Sequence, residues 1–191
     1  MKRIIISLFL ILMTKSLFAG VNVGGTAGAI YLNDLHLQSS FGWIVGVDLF
    51  SNVSVIYNGF TGSFSKSDLD SNGAVDTERE YRHFIHMGKV QYLYPLMNYR
   101  LLIGASAGFG SAAISYNRKD LSIETDAEEK LSIAGIWAEG KYHIDQKFSV
   151  IASAGFVSVD DAGKFAGKNI SGPDFKVGVS YTLIGRNKKL Y

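Results

Sequence analysis

A period-two alternation of apolar and polar residues, broken by very short turns on one side and long polar stretches on the other, constrains this chain most. In Phe41 to Leu49 the odd positions are Phe41, Trp43, Val45, Val47 and Leu49, whereas the even ones include Gly42, Gly46 and Asp48. From Asp174 to Leu183, Phe175, Val177, Val179, Tyr181 and Leu183 alternate with Lys176, Gly178, Ser180 and Thr182. Successive strand side chains point to opposite faces, so each segment has one greasy and one polar or very small surface. Val21–Tyr31, Val53–Ser65, Glu80–Tyr94, Tyr99–Tyr116, Lys130–Ile144 and Phe148–Val159 complete a set of eight strands. The short connections are Ser51-Asn52, Pro95–Asn98 and Asp145–Lys147; the long ones are Leu32–Ser40, Lys66–Arg79, Asn117–Glu129 and Asp160–Gly172. An even strand count with this asymmetry predicts an all-β, eight-stranded antiparallel up-and-down transmembrane β-barrel.

Residues 1–19 read as a signal peptide: Lys2 and Arg3, the apolar run Ile4–Met13, then Ala19 before Gly20. Lys15 interrupts a run already too short for a spanning helix. Residues 20–184 are then the barrel, and 185–191 a short basic tail with Arg186, Lys188 and Lys189. Loss of the leader lowers Lys+Arg from 19 to 16 against 17 Asp+Glu, so the positive balance belongs to the leader and gives no basic patch for nucleic acid. The chain has no Cys, which excludes disulfides and thiolate metal sites.

A soluble β-sandwich also alternates, but its second face meets water. Here that face carries Gly24, Gly28, Gly42, Gly46, Gly104, Gly108 and Gly178, as the crowded interior of an eight-stranded barrel demands. Tyr92, Tyr94, Tyr99, Tyr142, Phe148 and Tyr181 cluster near the short turns, as one aromatic girdle would. Trp43, Tyr81, Phe109, Phe156 and Phe175 lie toward the long connections and suit a second. In Leu101–Ile114, Gly104, Ser106, Gly108 and Gly110 fall every second residue, which is strand period.

The segments Gly104–Gly110, Ala138–Tyr142 and Val179–Leu183 resemble those of the small eight-stranded outer-membrane barrels: the OmpA transmembrane domain, OmpX, the Ail-type adhesins and the opacity-like proteins. The resemblance implies a monomer in the bacterial outer membrane with both termini periplasmic, lipid and lipopolysaccharide as surroundings, and assembly by the barrel-assembly machinery. It implies a structural or surface-interaction, adhesin-like role, with an extracellular ligand for the loops. Family members end their last strand at an aromatic residue; this chain continues from Ile184 to Tyr191.

With the greasy faces outward, Asp48, Lys89, Arg100, Glu139, Lys141 and Lys176 are expected inside as a charge network, since buried charges must pair or stay hydrated. The same charges admit a second reading, a narrow ion or small-solute channel gated as the likeness to OmpA suggests. A third is a lipid A-modifying enzyme, because acyltransferases and deacylases use such barrels. Hydrolysis needs a nucleophile beside a base and an orienting group; His83, His86, Ser106, Ser111, Glu80 and Asp76 are present but scattered in sequence. His83 and His86, three apart on a strand, face opposite sides and cannot share a metal. Asp68, Asp70, Asn72 and Asp76 resemble the start of a Ca²⁺ loop, but Arg79 stands at the twelfth position, and Ser-Asn-Gly is equally an ordinary hairpin tip. No other cofactor is expected.

Overall fold

The computed structural model describes residues 20–32, 36–49, 52–69, 75–120, 123–160 and 170–185; for residues 36, 64, 66–69, 75–79, 116, 118–120, 123–128 and 185 only the backbone is described. The strands are β1 (Gly20–Leu32), β2 (His36–Asp48), β3 (Val53–Leu69), β4 (Val75–Leu96), β5 (Leu101–Asp120), β6 (Ile123–His143), β7 (Phe148–Val159) and β8 (Gly172–Gly185). Each pairs antiparallel with its sequence neighbours, and β1 closes on β8. This is the expected barrel. Closure leaves no edge within the ring, which is what permits a sheet to stand in hydrocarbon; beyond it the β2–β3 ladder stops at Phe41–Thr61 and the β6–β7 ladder at Ile133–Val159, so the β3 and β6 arms run past these partners.

The strands alternate as the sequence requires. Along β7 the residues alternate between more exposed and more buried from Phe148 to Val159, and along β8 Phe175, Val177 and Val179 are exposed while Asp174, Lys176 and Ser180 are buried. Large apolar side chains cover the outside, among them Val45, Phe84, Val90, Ile103, Phe109 and Val177, all more than 40% exposed. A belt of this extent is unstable in water and stable against acyl chains.

Three of the expected long connections are mostly strand: Leu32 still belongs to β1, and β2 already begins at His36. β3 continues to Leu69 and β4 resumes at Val75, while β5 runs to Asp120 and β6 starts at Ile123. The ladder pairs Glu80 with Asn117, Thr77 with Asp120 and Ser115 with Glu128. Continuing the hairpin satisfies backbone groups, and the sequence of these arms carries no apolar alternation, so they read as polar loops. β4, at 22 residues, spans about 55 Å along a barrel axis tilted in the usual way, roughly twice the ~25 Å apolar band.

At the opposite end β5 starts later than expected. Met97, Asn98 and Tyr99 have φ of 47°, 56° and 66°, and Arg100 N–H donates to Met97 O at 3.1 Å. A left-handed turn of this kind cannot join a ladder, so Tyr99 and Arg100 belong to the turn.

The inward glycines serve a purpose other than filling space sparingly. A Cβ on Gly28 would lie 1.9 Å from Phe175 O, and one on Gly104 would lie 1.9 Å from Tyr92 O. The obstacle is the neighbouring strand's backbone: a tightly coiled small barrel brings carbonyls under the Cα of the next strand, where only hydrogen fits.

The interior has two zones. Toward the hairpin end Ile30, Leu32, Phe60, Ile85, Met87, Ile114, Ile133, Trp137 and Val157 are at most 2% exposed and form an apolar core. Toward the turn end the interior is polar. The hairpin half is thus filled largely by apolar side chains, with Gln38, His83 and Asp174 buried among them. Tyr81 belongs to this core, not to an outer girdle.

Candidate functional site

Alternate positions of several strands aim polar side chains at one axial region. Asp48 on β2, Lys89 on β4, Glu139 and Lys141 on β6, and Lys176 on β8 line a single cavity of about 60 Å³, with Asn22, Ser54 and Asn58. That volume holds a few waters and no larger solute. Five of the six residues expected as a lumen network are thus brought together. Arg100 is not: it is exposed in the 97–100 turn, its guanidinium 6.0 Å from the Tyr142 ring centroid.

Two chains of contacts join four of these charges, Asp48 in one and Lys89, Glu139 and Lys176 in the other. In the lower one, Ser54 Oγ donates to Asp48 Oδ1 at 2.6 Å, Asn22 Nδ2 donates to Asp48 Oδ2 at 3.0 Å, and Thr182 Oγ1 donates to Asn22 Oδ1 at 2.8 Å. In the upper one, Ser106 Oγ donates to Glu139 Oε1 at 2.5 Å and Lys89 Nζ stands 3.5 Å from the same oxygen. Lys89 Nζ is also 3.5 Å from the Trp137 ring centroid, and Trp137 Nε1–H donates to Asp174 Oδ2 at 2.8 Å. Asp174 is ion-paired to Lys176, whose ammonium lies 3.7 Å over the Phe60 ring. An ammonium so enclosed is tolerable because a carboxylate and an aromatic face replace water.

Asp174, wholly buried, does not stand out in the sequence, although it shares the face of Lys176 two residues on. The same parity places Gln38 and Asn58 inside. His83 joins them, buried, with its Nδ1 against Gln38 Oε1 and its ring 6.1 Å from Phe60. His86 points outward, so the two histidines stand on opposite faces of β4. Ser106 belongs to the interior network and Ser111 to the outer wall; Glu80 pairs with exposed Arg82 at 2.8 Å.

Of the aromatic residues, Tyr92, Tyr94, Tyr142, Phe148 and Tyr181 are exposed around the turn end, Phe148 and Tyr181 with centroids 4.9 Å apart. Trp43 is exposed further up and packs 5.3 Å from Tyr57. Tyr99 lies in the left-handed turn rather than on a strand. The side chains of Asp68, Asp70, Asn72 and Asp76 lie outside the described residues, as do residues 1–19. Among the described residues no three His, Asp or Glu side chains converge as a metal site would require.

Solved structures share the architecture. Ail of Yersinia pestis superposes with a TM-score of 0.57 at 10% identity, covering 86% of this chain and 97% of its own. The N-terminal barrel of Pseudomonas aeruginosa OprF gives 0.55 at 13%, covering 86% and 98%. A major outer membrane protein from Thermus thermophilus gives 0.59 at 10%, covering 85% and 99%. At such identities the likeness is one of fold alone. No curated protein matches the chain. Residues 7–182, nearly the whole length, match the family described as "Outer membrane protein beta-barrel domain", and the chain belongs to that family of outer-membrane β-barrels.

Proposed function

We propose that this barrel is a non-conducting surface-interaction scaffold, with both termini and the short turns in the periplasm and the β3–β6 arms outside the cell. The observation that carries this reading is the apolar core between the charged cavity and the hairpin end. Ions crossing the barrel would have to pass Ile30, Phe60, Ile85 and Ile133, each nearly or wholly buried, at a level where the buried Gln38, His83 and Asp174 are already engaged with one another, with Trp137 or with Lys176. A rigid wall holding long hairpins is how binding loops are commonly presented. Lys66–Arg82 and Asn117–Lys130 together hold ten acidic and six basic residues, a balance that favours a cationic partner. In that respect the arms differ from what suits a polyanion such as the heparin analogue bound by Ail in a second structure of that protein.

Planar-bilayer recording tests the reading: the folded protein produces no discrete current steps, whereas regular single-channel steps abolished by Glu139→Ala would establish the channel instead. What favours that second reading is the Lys89–Glu139 pair, long enough at 3.5 Å to be exchanged for other partners. Orientation is tested by Arg82→Cys, which a membrane-impermeant maleimide labels on intact cells.

A further inference from the structure

We propose that Ser111, His86 and Tyr57 on the outer wall form a nucleophile site that cleaves carboxylic esters of membrane lipids. The three side chains come from adjacent strands. His86 on β4 pairs across the ladder with Ser111 on β5 and with Gly59 on β3. Ser111 Oγ is hydrogen-bonded to His86 Nε2, and Tyr57 Oη lies 3.2 Å from His86 Nδ1. This is the order of parts that activates a serine: hydroxyl, imidazole, orienting group. When Nε2 accepts the serine proton, Nδ1 carries the ring hydrogen and donates it to Tyr57 Oη, so the tyrosine selects the tautomer that acts as a base. The rings of Phe84 and Tyr57 stand 5.8 Å and 6.4 Å from His86 and hold it from either side.

The position of the trio names its substrate. It faces away from the interior network, onto the apolar belt, where soluble substrates do not reach. His86 lies eight residues before Tyr94 in β4, which places it about 20 Å above the turn-end aromatics, near the far edge of an apolar band ~25 Å tall. That edge is the depth at which acyl chains join their headgroups through ester bonds. Trp43 shares the row through Gly59: a Cβ on Gly59 would meet Trp43 Nε1 at 2.9 Å. The indole lies over Gly59, across the ladder from His86, and adds to the apolar wall beside the trio.

The reaction proceeds in two steps. Ser111 Oγ attacks the ester carbonyl as its proton passes to His86 Nε2; the C–O bond to the alcohol breaks, and that proton goes to the departing oxygen. Water, deprotonated by His86, then attacks the acyl-serine, releasing the carboxylic acid and restoring the Ser111 hydroxyl. No oxidant or metal is needed.

The test uses the full chain folded in detergent micelles, with a long-chain alkyl fluorophosphonate as probe and mass spectrometry to locate the adduct, beside turnover of a fluorogenic long-chain ester. Heat-modifiable gel migration verifies folding of every variant. Wild type is labelled at Ser111 and turns over the ester; Ser111→Ala loses both, and His86→Ala slows labelling by about a hundredfold or more. Tyr57→Phe keeps the ring, removes the hydroxyl, and slows labelling less than His86→Ala. Ser132→Ala, an exposed neighbour across the ladder from Ser111, behaves as wild type. A folded wild type that is unlabelled at Ser111, or labelling undiminished in His86→Ala, overturns the proposal and leaves these residues as part of the interfacial belt.

Discussion

Replacing Asp174 by Leu removes a carboxylate that meets two interior donors at once. Asp174 is fully buried, accepts the Trp137 indole N–H at 2.8 Å, and pairs with Lys176, itself 4% exposed. Without it the Lys176 ammonium keeps the Phe60 face, 3.7 Å away, which offsets only part of the lost attraction. Breaking a buried pair by deleting one partner costs about 3–5 kcal/mol, whereas exchanging both for apolar residues of similar size is often neutral. Asp174→Leu should therefore lose about 3–5 kcal/mol, and Asp174→Leu with Lys176→Met should recover at least half of it. The remainder is the unpaired Trp137 N–H, about 1–3 kcal/mol. Urea unfolding in lipid vesicles measures this, followed by tryptophan fluorescence and checked by gel migration. A single-variant loss below about 1 kcal/mol, or a double variant no more stable than the single, would show that water reaches the pair and that the interior is not sealed as described.

The wall and the turns can be probed in the same way. Gly104→Ala sets a methyl 1.9 Å from Tyr92 O, so the strands must part, and the urea midpoint should fall by the equivalent of about 1–3 kcal/mol; an unchanged midpoint contradicts the close approach. Met97→Gly relieves one left-handed residue, φ 47°, and should stabilise the fold by about 1 kcal/mol, seen as a slower unfolding rate in urea. The Asp145 carboxylate accepts N–H bonds from Phe148 at 2.7 Å and Lys147 at 2.6 Å, which hold it below its ordinary value. A depressed carboxylate contributes stability above its unfolded value, near ~4, and loses it as pH falls through the lower folded one. Asp145→Ala should therefore differ from wild type in urea at neutral pH, begin to converge with it as pH falls below about 4, and meet it only below the lower folded value.

Strand number, order and facing were legible because a membrane wall must be greasy outside, and at small diameter it must be polar or tiny inside. Phe175 to Leu183 displays both demands in one short run, and Asp174 was readable by the same parity. What escaped reading had lost one of the two demands. In Tyr81–Met87 and Ala112–Ile114 the inward side is apolar apart from His83, so alternation fades just where the interior core lies. In the arm from Ile123 to Glu129 the ladder continues without an apolar alternation in the sequence, so strand resembles loop. Arg100 follows strand parity in sequence, but three positive φ angles before it turn the chain away. Ser111 and His86 lie 25 residues apart, and only the β4–β5 register makes them neighbours.

The central claim is that odd positions of the last strand meet acyl chains while even ones meet a closed interior. Because the chain lacks Cys, single cysteines from Phe175 to Thr182, spin-labelled in lipid vesicles, report each position without background. Oxygen accessibility should peak at Phe175, Val177, Val179 and Tyr181 and fall at Lys176, Gly178, Ser180 and Thr182, with a water-soluble nickel reagent excluded from Val177. Labels at Val45 and Val177 that collide freely with the nickel reagent and show no oxygen maximum would contradict the whole account.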